Sequence, residues 1–236
     1  LSASHNPGGI DEDFGIKFNM PNGGPAPESV TDAIFDVTKT ITEYHMYEGG
    51  SVDLSALGHS ALGEMQIEIV NPVTAYVDLM QTLFDFPAIK AMIVGGTAIR
   101  FDAMNAITGP YASTIIEDLL GADKGSVVHG TPLPDFGGMH PDPDPPWAHE
   151  LMDEMMGDAA PAFGCASAGD GDRNMIVGPT CYVSPSDSLA VIAANATVAP
   201  GYAQGLKGVA RSMPTSAAVD RVAYALGLEG YDTPTG

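Results

Sequence analysis

The central stretch of the chain alternates between short apolar runs and amphipathic segments with helical spacing. Runs of apolar and β-branched residues predict strands, and apolar residues recurring with helical periodicity predict helices. The predicted strands are 66–70, 98–104, 126–130 and 161–166, and the predicted helices are 72–84, 109–120 and 147–156. Such alternation predicts a mostly parallel sheet covered by helices. Because ligands bind beyond the carboxyl ends of strands in sheets of this kind, the loops at those ends are the expected location of a site.

The segments on either side of this alternation predict further α/β units. The elements predicted before it are a strand at 16–20, a helix at 28–44 and a Gly- and Ser-rich connector at 48–64. The elements predicted after it are a helix at 185–196, a strand at 208–212, a helix at 217–226 and a loop from 231 onward. We therefore expect an α/β fold of consecutive domains with mixed, mostly parallel sheets covered by helices. The expected domains are 1–64, 65–184 and 185–236.

A loop rich in aspartate and glycine follows the last predicted strand of the central stretch. Asp170 and Asp172 alternate with glycine, so in an extended loop both carboxylates point the same way and can share one cation. Arg173 follows directly and can hold a phosphate by a two-pronged contact. A calcium loop is excluded, because Met175 and Cys181 stand where the sharp-turn glycine and the bidentate glutamate should be. A solvated acidic turn is the alternative interpretation.

The first nine residues contain a second candidate, Ser4 and His5 followed by Asn-Pro-Gly-Gly. Pro7 fixes its own φ and biases Asn6 away from helix, while the two glycines permit positive φ. Such a turn can hold a serine at a fixed angle. No Lys or Asp lies within two residues of Ser4, so its activation must come from elsewhere in the fold. An ordinary Asn-Pro-Gly-Gly turn is the alternative.

The net charge of the chain limits its partners. It is −21, from 30 acidic and 9 basic residues, which disfavours nucleic acid and anionic membranes. An anionic substrate then needs locally placed cations or a metal ion. No apolar run reaches the ~20 residues of a membrane helix, and the start lacks the pattern of a signal peptide. We expect a cytoplasmic protein with reduced cysteines, and the start inside a functional loop without an initiator Met suggests a fragment.

Together, these two loops resemble those of the alpha-D-phosphohexomutase family, most closely its phosphoglucomutase branch. That family carries a Thr-Ala-Ser-His-Asn-Pro loop with a phosphorylated serine and an Asp-Gly-Asp-Gly-Asp-Arg metal loop. Further matching stretches, in the right order and running to the end of the chain, are 13–19, 22–27, 210–216 and 233–236. Any one motif is weak, but six in order are strong support.

The resemblance implies a role for each matching residue. Ser4 is the phosphoserine, with His5 and Lys17 beside it. Ser4, Asp170 and Asp172 bind Mg²⁺, and Arg173 holds the phosphoryl group. Thr235 and Gly236 belong to the sugar-binding loop. The implied reaction interconverts glucose 1-phosphate and glucose 6-phosphate, with glucose 1,6-bisphosphate as primer and intermediate, and it requires Ser4 to lie close to the acidic loop.

Three departures weaken the implied enzyme. Ser2 replaces a threonine, Ala168 stands where the first metal aspartate should be, and the sugar and distal phosphate loops expected after Gly236 are missing. We expect the 236-residue chain to be inactive alone. The alternative is a non-catalytic relative that binds sugar phosphate or serves as a phosphoprotein. The sequence leaves the oligomeric state and the exact phosphohexose open.

Overall fold

The computed structural model describes residues 7–13 and 15–234. By its internal contacts the chain divides into two compact units. The smaller unit is Lys17–Asp78, and the larger unit takes in the chain up to Ile16 and from Leu79 onward. The predicted domain boundaries near residues 65 and 185 stay predictions. No helix in the described ranges is both long and apolar enough to cross a membrane.

The smaller unit holds one helix and one antiparallel hairpin. Helix α1 is Glu28–Thr38, and strands β1 and β2 are Gly58–Leu62 and Met65–Ile69. Helix α2, Pro72–Leu83, begins at the end of this unit. None of the residues of α1 is buried.

Three predictions for the smaller unit were wrong. The strand at 16–20 does not form, and a single bridge between Asn19 and Pro25 closes a turn there instead. The helix predicted to reach Tyr44 ends at Thr38, where a run of threonine and isoleucine lowers helix propensity. The predicted connector contains β1, because its pairing with β2 satisfies its backbone without an apolar pattern.

The larger unit is built on a five-stranded mixed sheet with the order β4-β3-β5-β6-β7. Strand β3 pairs in parallel with both β4 and β5, while β5–β6 and β6–β7 are antiparallel. This arrangement confirms the predicted α/β class with a mixed sheet. The antiparallel strands β6 and β7 were not predicted. The strands are β3 Ile99–Asp102, β4 Val127–Val128, β5 Phe163–Ser167, β6 Asn174–Gly178 and β7 Cys181–Val183.

Helices pack on this sheet around a methionine-rich core. Met104, Met155 and Met175 are fully buried together with Val177 and Leu151. Unbranched methionine side chains fill irregular gaps between helix and sheet. The elements are α3 Phe86–Val94, α4 Thr108–Ala112, a π-helical continuation Ser113–Leu119, a short 3₁₀ turn Phe136–Gly138 and α5 His149–Met155. Helix α3, which was not predicted, is capped by Asp85, whose side chain accepts from the amide of Ala88 at 2.9 Å.

The last part of the larger unit packs two helices against a two-stranded parallel sheet. Val209, Val219 and Ala193 lie at the centre of its small core. The loop predicted from residue 231 is instead strand β9, which pairs with β8 in parallel. The elements are α6 Pro185–Asn195, 3₁₀ turns Ala196–Val198 and Pro200–Tyr202, β8 Gly208–Ser212, α7 Ala218–Leu226 and β9 Glu229–Thr233.

Candidate functional site

The candidate site lies at the carboxyl edge of the parallel part of the sheet. Asp102 at the end of β3 pairs in register with Val128 of β4 and with Ala166 of β5. The three strands therefore end side by side, and the segments that follow them meet at one edge. The acidic loop 168–173 leaves β5 at this edge, as the sequence predicts.

The acidic loop is a closed turn. Its base is fixed by the amide of Ala168 donating to the carbonyl of Arg173 at 2.9 Å, and the amide of Gly171 donates to the carbonyl of Ala168 at 2.9 Å. Gly171 has a φ of +78°, and a Cβ built on it would lie 2.7 Å from Cγ2 of Thr108. A side chain is therefore excluded there by both conformation and space. Thr108 in turn shares a hydrogen bond of 2.6 Å with Ser167, which ties the end of β5, directly before the loop, to α4.

Two carboxylates on this turn carry oxygens of the kind that a hard cation binds. Asp170 is partly buried and accepts from the amide of Asp172 at 3.3 Å, while the side chain of Asp172 is 52% exposed. Mg²⁺ takes oxygen ligands and usually keeps several waters, so this pair fits it as a partial ligand set. Ala168 is fully buried and offers no side-chain donor. Within residues 7–13 and 15–234, no group of three or more His, Cys, Asp or Glu could hold a metal ion.

Arg173 is held against a neighbouring segment. Its Nη1 lies 2.9 Å from Oδ1 of Asp142, and its Nε lies 3.7 Å from Oδ1 of Asp172. The side chain is 38% exposed, yet its Nη2 is buried with no hydrogen-bond partner among the residues described. A cavity of about 380 Å³ lies beside it, lined in part by Tyr182 and Ser184. The guanidinium of Arg173 is therefore held at Nη1 and lacks a hydrogen-bond partner at Nη2 among the described residues.

A buried pair at the same edge escaped the sequence analysis. Asp102 is 1% exposed, and its Oδ1 accepts from the amide of Met104 at 2.8 Å and lies 2.9 Å from Nδ1 of His129. Met104, Asn105 and His129 all have positive φ, between 48° and 53°. Left-handed backbone at non-glycine residues is costly and often found at functional sites. In the sequence, the signal for this backbone conformation is Asn105, an asparagine directly after a predicted strand, and this signal is weak.

The predicted site residues are only partly covered by the structure. Ser4, His5, Thr235 and Gly236 lie outside the described residues, so the predicted proximity of Ser4 to Asp170 stays a prediction. Lys17 is exposed in the smaller unit. Asp170, Asp172 and Arg173 lie in one described loop, and their predicted roles stay predictions.

The stretch that follows the Ser4 loop can be placed at this edge through Gly8. A Cβ built on Gly8 would lie 2.7 Å from the carbonyl oxygen of Pro134 and 2.9 Å from the ring of Phe136. The same segment is hydrogen-bonded to the carboxyl edge, since the amide of Leu133 donates to the carbonyl of Asn105 at 2.9 Å. Gly8 therefore lies against the segment bound to the end of β3.

The two cysteines differ in their surroundings. Both thiols are free, with Cys165 buried in β5 and Cys181 exposed. Burial, followed by the negative charge of Asp102, raises the pKa of Cys165 to about 12. A thiol protonated at neutral pH is a poor nucleophile, so Cys165 is a structural residue.

Comparison with known proteins identifies the family to which this α/β architecture belongs. The family model for phosphoglucomutase/phosphomannomutase alpha/beta/alpha domain II matches residues 74–180, and the model for domain I matches residues 1–45. The whole chain aligns with the phosphoglucomutase of Rhizobium radiobacter at 58% identity, and the alignment covers 44% of that protein. It also aligns over its whole length with the cytoplasmic phosphoglucomutase of Bromus inermis at 51% identity, covering 43% of that protein.

A solved structure agrees with these matches. The open form of the exocytosis-sensitive phosphoprotein pp63/parafusin, a phosphoglucomutase from Paramecium, superimposes with a TM-score of 0.89 at 43% identity. The match covers 99% of this chain and 44% of that one. The chain belongs to the phosphoglucomutase/phosphomannomutase family, which confirms the resemblance to its phosphoglucomutase branch. It spans about two fifths of the length of these relatives, 44% and 43% of the first two.

Proposed function

We propose that this chain is part of a phosphoglucomutase that interconverts glucose 1-phosphate and glucose 6-phosphate through a phosphoserine. The observation that carries the proposal is the loop at the carboxyl edge, where Asp170, Asp172 and Arg173 stand together on one closed turn. Carboxylates that can hold a cation beside an arginine are the parts needed to neutralise a transferring phosphoryl group. The relatives named phosphoglucomutase match this chain over its full length.

In the proposed reaction Ser4 carries the phosphoryl group. The 6-hydroxyl oxygen of glucose 1-phosphate bonds to phosphorus as the bond between phosphorus and the serine oxygen breaks, and the proton of that hydroxyl ends on the serine oxygen. The resulting glucose 1,6-bisphosphate reorients in the site, and its other phosphoryl group is then transferred back to the serine oxygen. His5 and Lys17 are the proposed neighbours of Ser4, and Thr235 and Gly236 are proposed to contact the sugar.

The acidic loop has a binding and orienting role in this scheme. Asp170 and Asp172 are the residues that would hold Mg²⁺, together with the oxygen of Ser4. The bound ion would supply positive charge to the phosphoryl oxygens. Arg173 supplies a second, fixed positive charge from the protein itself, which matters in a chain whose net charge is −21.

The remaining partners and the location belong to the proposal as well. The negative charge of the chain argues against nucleic acid and anionic membrane surfaces. We place the protein in the cytoplasm, as the name of the Bromus inermis relative states for that protein, although other relatives carry chloroplastic names.

A second function is favoured by one specific observation. Ala168 is buried and brings no carboxylate, so the metal site lacks a charge that the family pattern provides. A relative that binds sugar phosphate, or is phosphorylated without turnover, would tolerate that loss. The Paramecium protein is itself called a phosphoprotein as well as a phosphoglucomutase.

Activity in a completed chain distinguishes the two functions. The completed chain is a chimera in which these 236 residues replace the matching segment of the Rhizobium radiobacter phosphoglucomutase. The assay follows conversion of glucose 1-phosphate to glucose 6-phosphate, with glucose 1,6-bisphosphate as primer and Mg²⁺ titrated. We expect Mg²⁺-dependent turnover that Ser4→Ala abolishes, and no useful activity from the 236-residue chain alone. Sugar-phosphate binding without turnover in a folded chimera would favour the non-catalytic relative.

A further inference from the structure

We propose that Asp142 is a positioning residue that fixes the guanidinium of Arg173 for its contact with the transferring phosphoryl group. The inference rests on the proposed function for the role of Arg173. Nothing in the spacing of the sequence motifs pointed to Asp142, which lies in the proline-rich segment between β4 and α5.

The contact between the two side chains is close and half-shielded from water. Oδ1 of Asp142 lies 2.9 Å from Nη1 of Arg173, and the carboxylate is only 17% exposed. A charge-assisted hydrogen bond of this length is strongly directional, so it sets the plane of the guanidinium as well as its position. Other ionisable side chains near this pair are His140, whose Nε2 lies 3.9 Å from Oδ2 of Asp142, Asp172, and Asp144, which lines the same cavity as Arg173.

The segment that carries Asp142 is itself rigid. Pro141 and Pro143, on either side of it, are fully buried, and each has a fixed φ. Tight turns reinforce them, because the amide of Asp142 donates to the carbonyl of His140 at 2.9 Å. The ring of His140 lies 4.4 Å, centroid to centroid, from that of Trp147. A carboxylate held in this way loses little conformational entropy when it keeps Arg173 in place.

The same segment touches the acidic loop at a second point. The amide of Gly169 donates to the carbonyl of Pro141 at 3.2 Å. The backbone contact holds the start of the loop and the Asp142 contact holds its end at Arg173. The segment around Asp142 therefore aligns the arginine with the carboxylates of the same loop.

Nη2 of Arg173 is the nitrogen that this alignment leaves to bind an anion. Nη2 is buried without a hydrogen-bond partner among the described residues, and such a donor is costly until it meets an acceptor. With Nη1 fixed by Asp142, the N–H groups of Nη2 are the ones left for an anionic oxygen. A phosphoryl group is the acceptor that the proposed reaction brings to this loop.

The first test measures the arginine directly. Arginines are few in the chain, namely Arg100, Arg173, Arg211 and Arg221, so the NMR signals of their Nε–H groups can be resolved in the 236-residue chain. We expect Asp142→Asn to lower the order parameter of the Arg173 Nε–H group to below about 0.6, the range of flexible groups. Asp144→Asn, the matched control, removes the same charge from the same segment and should leave Arg173 unchanged. An Arg173 signal that is equally rigid in Asp142→Asn overturns the proposal.

The second test measures function in the completed chain. Asp142→Asn should lower kcat/KM about 10- to 100-fold, mostly through kcat, because a misplaced group loses transition-state contacts first. In an Arg173→Gln background the same substitution should change kcat/KM by about 2-fold or less. An equal loss in both backgrounds would assign Asp142 a purely structural role and overturn the proposal. If the unsubstituted completed chain shows no turnover, the proposed function fails, and the NMR comparison alone decides whether Asp142 positions Arg173.

Discussion

Restoring a carboxylate at position 168 is the most informative perturbation of the metal loop. Ala168 is fully buried at the point where β5 enters the turn. Without a metal ion, a carboxylate introduced there is taken out of water with no cation to pair with. The cost of such a charge is several kcal/mol, reduced to the extent that the carboxyl group becomes protonated. We therefore expect Ala168→Asp to destabilise the larger unit in the absence of Mg²⁺.

The same substitution should strengthen Mg²⁺ binding. A unit negative charge about 4 Å from a divalent cation contributes about 2 kcal/mol in a water-like dielectric, or an affinity about 30-fold higher. A ligand present at about 100 times its Kd stabilises the folded state by about 2.7 kcal/mol. Saturating Mg²⁺ should therefore return much of the stability that Ala168→Asp loses. In the completed chain the turnover rate should rise as well, because the phosphoryl group is better neutralised.

The assay combines urea unfolding of the 236-residue chain, with and without MgCl₂, and calorimetric titration of Mg²⁺. Ala166→Asp is the matched control, since Ala166 is a buried alanine of β5, two residues before position 168, and lies in the methionine-rich core. It should destabilise the unit as much and gain nothing from Mg²⁺. If Mg²⁺ affinity is the same in Ala168→Asp and in the parent chain, position 168 does not face the cation and the reasoning is wrong.

Four further predictions concern the described part of the larger unit. A thiol reagent should label Cys181 and leave Cys165 unmodified until the unit unfolds. Because burial raises the pKa of Cys165 from 9.0 to about 12, the contribution of this thiol to stability should be constant below pH 9. It should fall by about 1.4 kcal/mol per pH unit as the pH rises from 9 towards 12, and Cys165→Ala should remove that part of the slope in urea unfolding. Gly171→Ala should cost at least about 1 kcal/mol in urea unfolding, because its φ is +78° and Thr108 blocks a Cβ. Gly178→Ala should cost less, because its Cβ would meet the carbonyl oxygen of Ala162 only at 3.9 Å, an ordinary contact distance. Asp102→Asn should cost about 1–3 kcal/mol, since it weakens the acceptor for a buried amide and a histidine, and a near-neutral result in thermal unfolding would contradict that assignment.

Helices and strands with strong local signals, such as caps, prolines, glycines and apolar runs, were predicted well from the sequence. Helix α2 begins at its proline, α6 begins directly after its capping serine Ser184, and α7 ends directly before Gly227, which is in the left-handed conformation. Strand β5 was predicted from its apolar run alone. Caps, proline and glycine act through bonds within a few residues of themselves, so these signals do not depend on the rest of the fold.

The segments that were predicted wrongly depend on pairing with a neighbouring strand. Residues 16–20 have an alternating pattern but form only one bridge, whereas β6 and β9 form because β5 and β8 offer them open edges. A strand needs the backbone of a neighbour to satisfy its hydrogen bonds, and the neighbour is chosen by the tertiary structure.

The candidate site divides in the same way. The acidic loop, with Asp170, Asp172 and Arg173, could be predicted from the sequence, because these residues are adjacent along the chain. Only the tertiary structure brought Asp142 to Arg173 and His129 to Asp102. Those contacts depend on the order and register of β3, β4 and β5, which place separate loops at one edge of the sheet. Residue types fix what a group can do, while its partner depends on long-range packing that a linear pattern does not contain.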